Sequence, residues 1–93
     1  MIESFKCKET EKIFTRQFSK KLPTQIQAIA FRKLRMLNRS SSIQDLQIPP
    51  ANRLEALSGK RAGQHSIRIN QQWRICFEWK NGHVCNVEIV DDH

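Results

Sequence analysis

Residues 53–79, RLEALSGKRAGQHSIRINQQWRICFEW, hold four of the chain's eight arginines and both of its tryptophans. Their hydropathy repeats every second residue. Trp73, Ile75, Phe77 and Trp79 alternate with Arg74, Cys76 and Glu78, and Ile67 and Ile69 alternate with Ser66 and Arg68. A period of two makes strands with one buried face and one polar face. The spacing predicts strands over 54–57, 65–69 and 73–79, and a further one over Val84 to Val90. Ser58 to Gly63 reads as a basic, glycine-flanked loop. Trp73 and Trp79 share the apolar parity and belong to the core, whereas Arg68 and Arg74 fall on the polar face.

Opposed residues in a sheet share a face, so register follows from face matching. Asn70-Gln71-Gln72 becomes a three-residue loop that sets Ile67 opposite Ile75 and Arg68 opposite Arg74. Asn81-Gly82 carries the signature of a two-residue type I′ hairpin. That turn, however, sets Phe77 against Asn86, an apolar face against a polar one. An odd loop, Lys80-Asn81-Gly82, sets Phe77 opposite Cys85 and Ile75 opposite Val87, and it is the register expected. It also sets Arg74 opposite Glu88 and turns Cys76 and Cys85 to opposite faces. Two guanidiniums side by side need an anion between them. Glu88 is one candidate and a bound phosphate is the other.

Upstream the period changes to 3.6. Lys8 to Phe18 reads as a helix, with Glu9 and Glu11 in its first turn and Ile13, Phe14 and Phe18 on one side. A second helix follows Pro23, with Thr24 as N-cap, and runs to Arg39. Ile26, Ile29, Ala30, Leu34 and Leu37 make its apolar face. Arg32, Arg35 and Arg39 stand on another face, which is either solvated or a dock for an RNA backbone or an acidic protein. Met1 to Phe5 reads as a short strand. Ser40 to Ser42 ends the second helix, Ile43 to Ile48 forms an irregular turn, and Pro49-Pro50 forces an extended connection. The order is βααββββ: one α+β domain over residues 1–93, its N-terminal strand and two helices packed on one face of a curved, mainly antiparallel sheet. The arginine face is left open as a shallow groove.

Sixteen Lys and Arg oppose nine Asp and Glu, a net charge of +7. That balance implies an anionic partner, nucleic acid first. Residues 1–39 carry ten basic groups against three acidic ones, and residues 40–93 carry six of each. Within the second half, a basic floor at 53–74 runs into an acidic tail containing Glu78, Glu88, Asp91 and Asp92. Cys7, Cys76 and Cys85 have no metal-ligand spacing and leave an odd thiol, so a disulfide framework is not expected. MIESFKCKE lacks the apolar core of a signal peptide and no run reaches membrane-spanning length, so a cytoplasmic protein is expected.

Arranged this way, residues 53–79 and the ending VEIVDDH (87–93) resemble HigB-type toxins of the RelE/ParE superfamily, and the likeness extends over essentially the whole chain. The resemblance implies a RelE-like fold and a small endoribonuclease that cuts messenger RNA on the ribosome, without a metal cofactor. It also implies a cognate HigA-type antitoxin with a helix-turn-helix domain, and operator DNA bound through the toxin–antitoxin complex. The arginine of the family's Trp-Arg-Ile segment is matched by Arg74. The acidic residue and terminal histidine of its Asp-Tyr-His ending are matched by Asp91 and His93. Two positions depart from the family pattern. Leu54-Glu55-Ala56-Leu57-Ser58-Gly59 stands where many members have Leu-His-Pro-Leu-Lys-Gly, and Asp92 replaces the tyrosine.

Metal-free RNA cleavage needs a base for the 2′-hydroxyl proton, cations for the phosphorane and an acid for the 5′-oxygen. Arg74 is the first cation, followed by Arg68 and by Arg61 on its loop, with Lys60 and Arg53 as further phosphate contacts. Guanidinium geometry suits bidentate binding of phosphate. His93 is the proton-transfer group, since its unperturbed pKa lies at about 6.5. Asp91 orients His93 or acts as base. Glu55 is the other candidate base, or else an ion-pair partner of Arg53 or Lys60. Strand parity puts Asp91 on the apolar side, and His65 reads as a packing residue. Two competing functions fit the same features: a toxin that binds DNA gyrase without cutting RNA, and a non-catalytic nucleic-acid-binding module relying on Arg32, Arg35 and Arg39.

Overall fold

The alternating segments form an antiparallel meander of four strands, β1 (Glu55–Ala56), β2 (Gln64–Arg68), β3 (Trp73–Lys80) and β4 (His83–Asp91), hydrogen-bonded in that order. The computed structural model describes residues 1–91. Between β2 and β3 the expected register holds, with Ile67 opposite Ile75 and Arg68 opposite Arg74. Asn70 closes the connecting loop: its Oδ1 accepts from the backbone N–H groups of Gln72 and Trp73, both at 2.8 Å.

The β3–β4 hairpin departs from the expected odd loop. Lys80 pairs with His83, Trp79 with Val84 and Glu78 with Cys85, so Asn81-Gly82 is a two-residue turn. Both turn residues have positive φ, 52° and 80°, as a type I′ turn requires. Face matching is restored by a bulge rather than by the loop. Asn86 adopts φ 53°, and beyond it the pairs become Cys76–Glu88, Ile75–Ile89 and Arg74–Val90. The extra residue resets parity, so Val84 before it and Val87 and Ile89 after it all reach the core. Arg74 therefore faces Val90 and not Glu88. Cys85 pairs with Glu78 and shares the face of Cys76, and neither is in a disulfide.

Asparagine tolerates this left-handed conformation better than most residues. The Asn86 amide Nδ2 donates to Glu78 at 2.7 Å and its backbone N–H donates to Ser4 Oγ at 2.9 Å. The amide bond, with Lys80 second, holds the Glu78 carboxyl below the ordinary carboxylate range. The bulge also shapes the sheet's outer edge. The N-terminal segment runs parallel to β4 as two separate bridges, Ile2–Val84 and Phe5–Val87, instead of a continuous strand. Those bridges cover backbone groups that an open edge would leave unpaired.

Helix α1 spans Lys8–Phe14, shorter than expected. Thr15 Oγ donates back to the carbonyls of Glu11 and Lys12, and Arg16 takes φ 64°, which ends the helix. Phe18 consequently lies outside the helix and is 61% exposed rather than packed. Helix α2 spans Thr24–Arg39; Thr24 is its first residue and Pro23 occupies the cap, which carries no side-chain hydrogen bond. Ile26, Ala30, Leu34 and Leu37 are buried against Ile67, Ile75, Phe77, Val87 and Ile89, with Ile29, Trp73 and Trp79 at the margin. Each fully buried aliphatic or phenyl side chain contributes roughly 1.5–3 kcal/mol. Buried Thr10 ties α1 to the sheet by accepting from the Ile89 N–H at 3.0 Å. Among the described residues, no helix is long and apolar enough to cross a membrane.

The connection from α2 to β1 consists of two 3₁₀ turns, Ile43–Gln47 and Pro50–Asn52. Ser42 and Asp45 form a capping box on the first. Asn52 is fully buried; it accepts from Lys33 Nζ and donates to the Leu46 carbonyl at 3.0 Å and to Met36 Sδ at 3.1 Å. Burial first and neighbouring Arg32 second push the Lys33 ammonium below the usual lysine range. Past Asn52, Arg53 turns the chain with φ 45° and delivers it to β1. With both helices on one side, the polar face of the meander stays uncovered.

Candidate active site

A polar cleft of about 770 Å³ opens on that face, lined by Arg53, Leu54, Glu55, Arg68, Asn70, Gln71 and Arg74. Three cations and one carboxylate line it, so it favours an anion. Arg74 is its fixed point. Its residue is 8% exposed, an unusual burial for a charge, and the contacts explain it. Nε donates to Ser66 Oγ at 2.8 Å, and Nη2 donates to the Arg53 carbonyl at 2.9 Å and the Ser66 carbonyl at 3.4 Å. Glu55 Oε2 lies 3.8 Å from Nη2 on a side chain that is half exposed. Two strands and the left-handed turn at Arg53 thus grip one guanidinium.

Arg68, across the rung from Arg74, is held more loosely. Its Nε donates to the Asn70 carbonyl at 2.9 Å. Among the described residues its terminal nitrogens meet no acceptor. The two guanidiniums therefore differ in anchoring: Arg74 is held by three hydrogen bonds and Arg68 by one. Glu88 does not bridge them. It accepts from Arg61 Nη1 at 3.1 Å, with Lys6 Nζ at 3.8 Å.

Arg53, Glu55, Arg68 and Arg74 are thus gathered in one place, and other candidates are not. Arg61 is occupied by Glu88 and Gln64, and Lys60 is exposed on the 3₁₀ turn Gly59–Arg61, outside the cleft lining. Asp91 pairs with Trp73, shares its face instead of Arg74's, and accepts from Gln72 Nε2 at 3.0 Å. His93 lies outside the described residues, as does Asp92. The ion-pair partner of Glu55 is Arg74, not Arg53 or Lys60. His65 stacks on Phe77 with ring centroids 6.1 Å apart, in keeping with a packing role. Among the described residues, no cluster of three His, Cys, Asp or Glu side chains is arranged to hold a metal ion.

Ser66, Asn70 and Gln71 were not singled out by the sequence. Ser66 carries a usable signal all the same: it sits on the arginine face one rung from Arg74, opposite both Cys76 and Glu55. A buried hydroxyl beside a buried guanidinium is a natural acceptor.

A family model of RelE-like toxins, described as HigB of type II toxin–antitoxin systems, matches residues 3–93. The chain belongs to the HigB-like toxin family. Toxin HigB-1 of Vibrio cholerae is 42% identical over 72 residues, which is 77% of this chain and 75% of that protein. Endoribonuclease HigB of Proteus vulgaris is 29% identical over the full length of both. Among solved structures, a histidine-to-glutamine mutant of YafQ from E. coli shares the fold at a TM-score of 0.59 and 9% identity, covering 94% of this chain and 91% of that one. This HigB-like toxin thus has the two-helix, four-strand RelE-like architecture, and membership of a type II toxin–antitoxin family implies an antitoxin partner.

Proposed function

We propose that this HigB-like toxin is a ribosome-dependent mRNA endoribonuclease that works by acid/base chemistry without a metal ion. The observation that carries the reading is the buried Arg74 guanidinium, pre-set by Ser66 and the Arg53 carbonyl in an open cleft beside Arg68. A relative of equal length named as an endoribonuclease supports it. A cation held in place before the reaction costs no reorganisation when charge builds on phosphorus. Among the described residues no aromatic side chain lines the cleft, and both tryptophans pack against the core. Such a site grips phosphate and leaves the holding of the strand to another body, which suits an RNA presented by the ribosome.

In the reaction, the 2′-oxygen attacks the adjacent phosphorus, and the P–O bond to the 5′-oxygen breaks. Glu55, at the cleft wall, takes the 2′-hydroxyl proton. Arg74 and Arg68 bind the phosphorane oxygens, with Arg53 beside them. His93 donates a proton to the leaving 5′-oxygen and Asp91 orients it. Lys60 and Arg61 contact neighbouring phosphates. A HigA-type helix-turn-helix antitoxin neutralises the toxin and carries it to operator DNA, and the setting is the cytoplasm. Mapping of mRNA 5′ ends after induction tests this: ribosome-phased cuts are expected, and they disappear in Arg74→Ala and His93→Ala. Growth arrest with intact mRNA and altered DNA supercoiling contradicts it and favours a gyrase target.

A further inference from the structure

The carbonyl that clasps Arg74 belongs to Arg53, which stands at φ 45°. A left-handed backbone is unfavourable for an L side chain and persists only where its surroundings enforce it. Two local bonds shape the turn. The Arg53 N–H donates to the Pro50 carbonyl at 3.1 Å, and the Asn52 N–H to the Pro49 carbonyl at 2.9 Å. These bonds close the turn on itself, and the Asn52 side chain ties it to the helical layer.

Asn52 is fully buried and uses both ends of its amide. Its Nδ2 donates to the Leu46 carbonyl and to Met36 Sδ, while its Oδ1 accepts from Lys33 Nζ. Thioether sulfur is a weak acceptor, whereas a hydrogen bond from a charged donor is roughly twice as strong as a neutral one. Lys33 is also set apart on its own helix. Arg32, Arg35 and Arg39 are exposed, and Lys33 is the basic residue of α2 that is half-buried. A continuous path therefore joins the helical layer to the cleft: Lys33 Nζ, the Asn52 amide, the Asn52–Arg53 peptide, the Arg53 carbonyl and Arg74 Nη2.

We propose that Lys33 is a positioning residue for the cleft: by holding the Asn52 amide it sets the Arg53 carbonyl, and with it the angle at which Arg74 meets phosphate. The inference rests on the reading of Arg74 as the cation of an RNA-cleaving site. When the hold is released, Arg74 Nε keeps its bond to Ser66 and Nη2 loses its fixed partner. Single-turnover cleavage on programmed ribosomes, with Lys33→Met, Arg74→Ala and the double variant, provides the test. Lys33→Met keeps the unbranched stem and removes the ammonium. It is expected to lower the maximal rate about 10-fold and to leave the half-saturating ribosome concentration unchanged. In the Arg74→Ala background the same change is expected to add less than about 2-fold, because its effect passes through Arg74. Nitrogen-15 NMR supplies a readout independent of activity: the separate Arg74 Nη1 and Nη2 signals of the wild type merge in Lys33→Met as the guanidinium rotates more freely. Circular dichroism verifies that each variant is folded. A wild-type rate in Lys33→Met, or the full 10-fold loss in the double variant, overturns the positioning role. A raised half-saturating concentration at an unchanged maximal rate also overturns it and makes Lys33 a ribosome contact. A wild-type rate in Arg74→Ala overturns the reading of the cleft instead, and unmerged Arg74 signals in Lys33→Met overturn the link from α2 whatever the activity.

Discussion

Two arginine-rich surfaces of this small toxin use the same residue type in opposite ways. On the sheet face, Arg74 is buried and its Nε and Nη2 donate to Ser66 and to backbone carbonyls, so its position is fixed. On α2, Arg32, Arg35 and Arg39 are exposed, and Arg35 lies with Arg16 over the Phe31 ring. The first arrangement places positive charge with little freedom, as a reacting phosphate requires. The second leaves the charge at the surface, spread over an aromatic ring. Burial and the type of contact, more than the count of arginines, separate the two.

The largest effect that sharpens this contrast is expected at Arg74. Arg74→Ala lowers the single-turnover cleavage rate by roughly 10²–10³-fold. It also costs about 1–3 kcal/mol in urea unfolding, because the Ser66 hydroxyl and the Arg53 carbonyl lose their partner. Arg74→Lys recovers stability better than activity, since an ammonium cannot reproduce the planar fork. If Arg74→Ala cleaves at the wild-type rate, the distinction between the surfaces collapses.

Asn52 comes next, because it touches both surfaces. It accepts from Lys33 on α2 and adjoins Arg53, whose carbonyl holds Arg74. Asn52→Ala is expected to destabilise by about 2–4 kcal/mol, read by urea unfolding, as the Leu46 carbonyl loses its donor and the Lys33 ammonium its acceptor. Its cleavage rate falls as well, whereas a purely structural role predicts a stability loss with the rate unchanged below the midpoint. A smaller change is expected for Arg68→Ala, about 10-fold in cleavage rate and under 0.5 kcal/mol in stability, since that side chain is half-buried and anchored mainly at Nε. The smallest concerns the bulge. Asn86→Gly keeps the left-handed residue and changes unfolding by at most about 0.5 kcal/mol, while Asn86→Val strains it by roughly 1–2 kcal/mol.

Much of this architecture was legible in the sequence where local pattern and fold agree. The Arg68–Arg74 rung followed from face matching alone, because β2 and β3 are regular and their loop adds no hidden residue. The same reasoning failed one hairpin later. It assumed regular strands, whereas Asn86 inserts a bulge that lets the two-residue Asn81-Gly82 turn and the buried Val87 coexist. There the local turn signal was the better guide. Phe18 was misplaced because a Thr15 back-bond and a left-handed Arg16 end α1 early, and neither residue type announces that conformation. In the site, Glu55 was expected beside Arg53 or Lys60, whereas the pairing of β1 with β2 brings it to Arg74. The Arg53 carbonyl that clasps Arg74 depends on a backbone turn at φ 45°, which side-chain patterns do not encode.

The most direct test of the fixed-guanidinium reading is single-turnover cleavage of an mRNA bound in purified, programmed ribosomes, with wild-type toxin and Arg74→Ala compared side by side. A cut leaving a 5′-hydroxyl end, slowed by two to three orders of magnitude in the variant while ribosome binding is retained, is the expected result. Equal rates for the two proteins, or intact mRNA with the wild type, would contradict it.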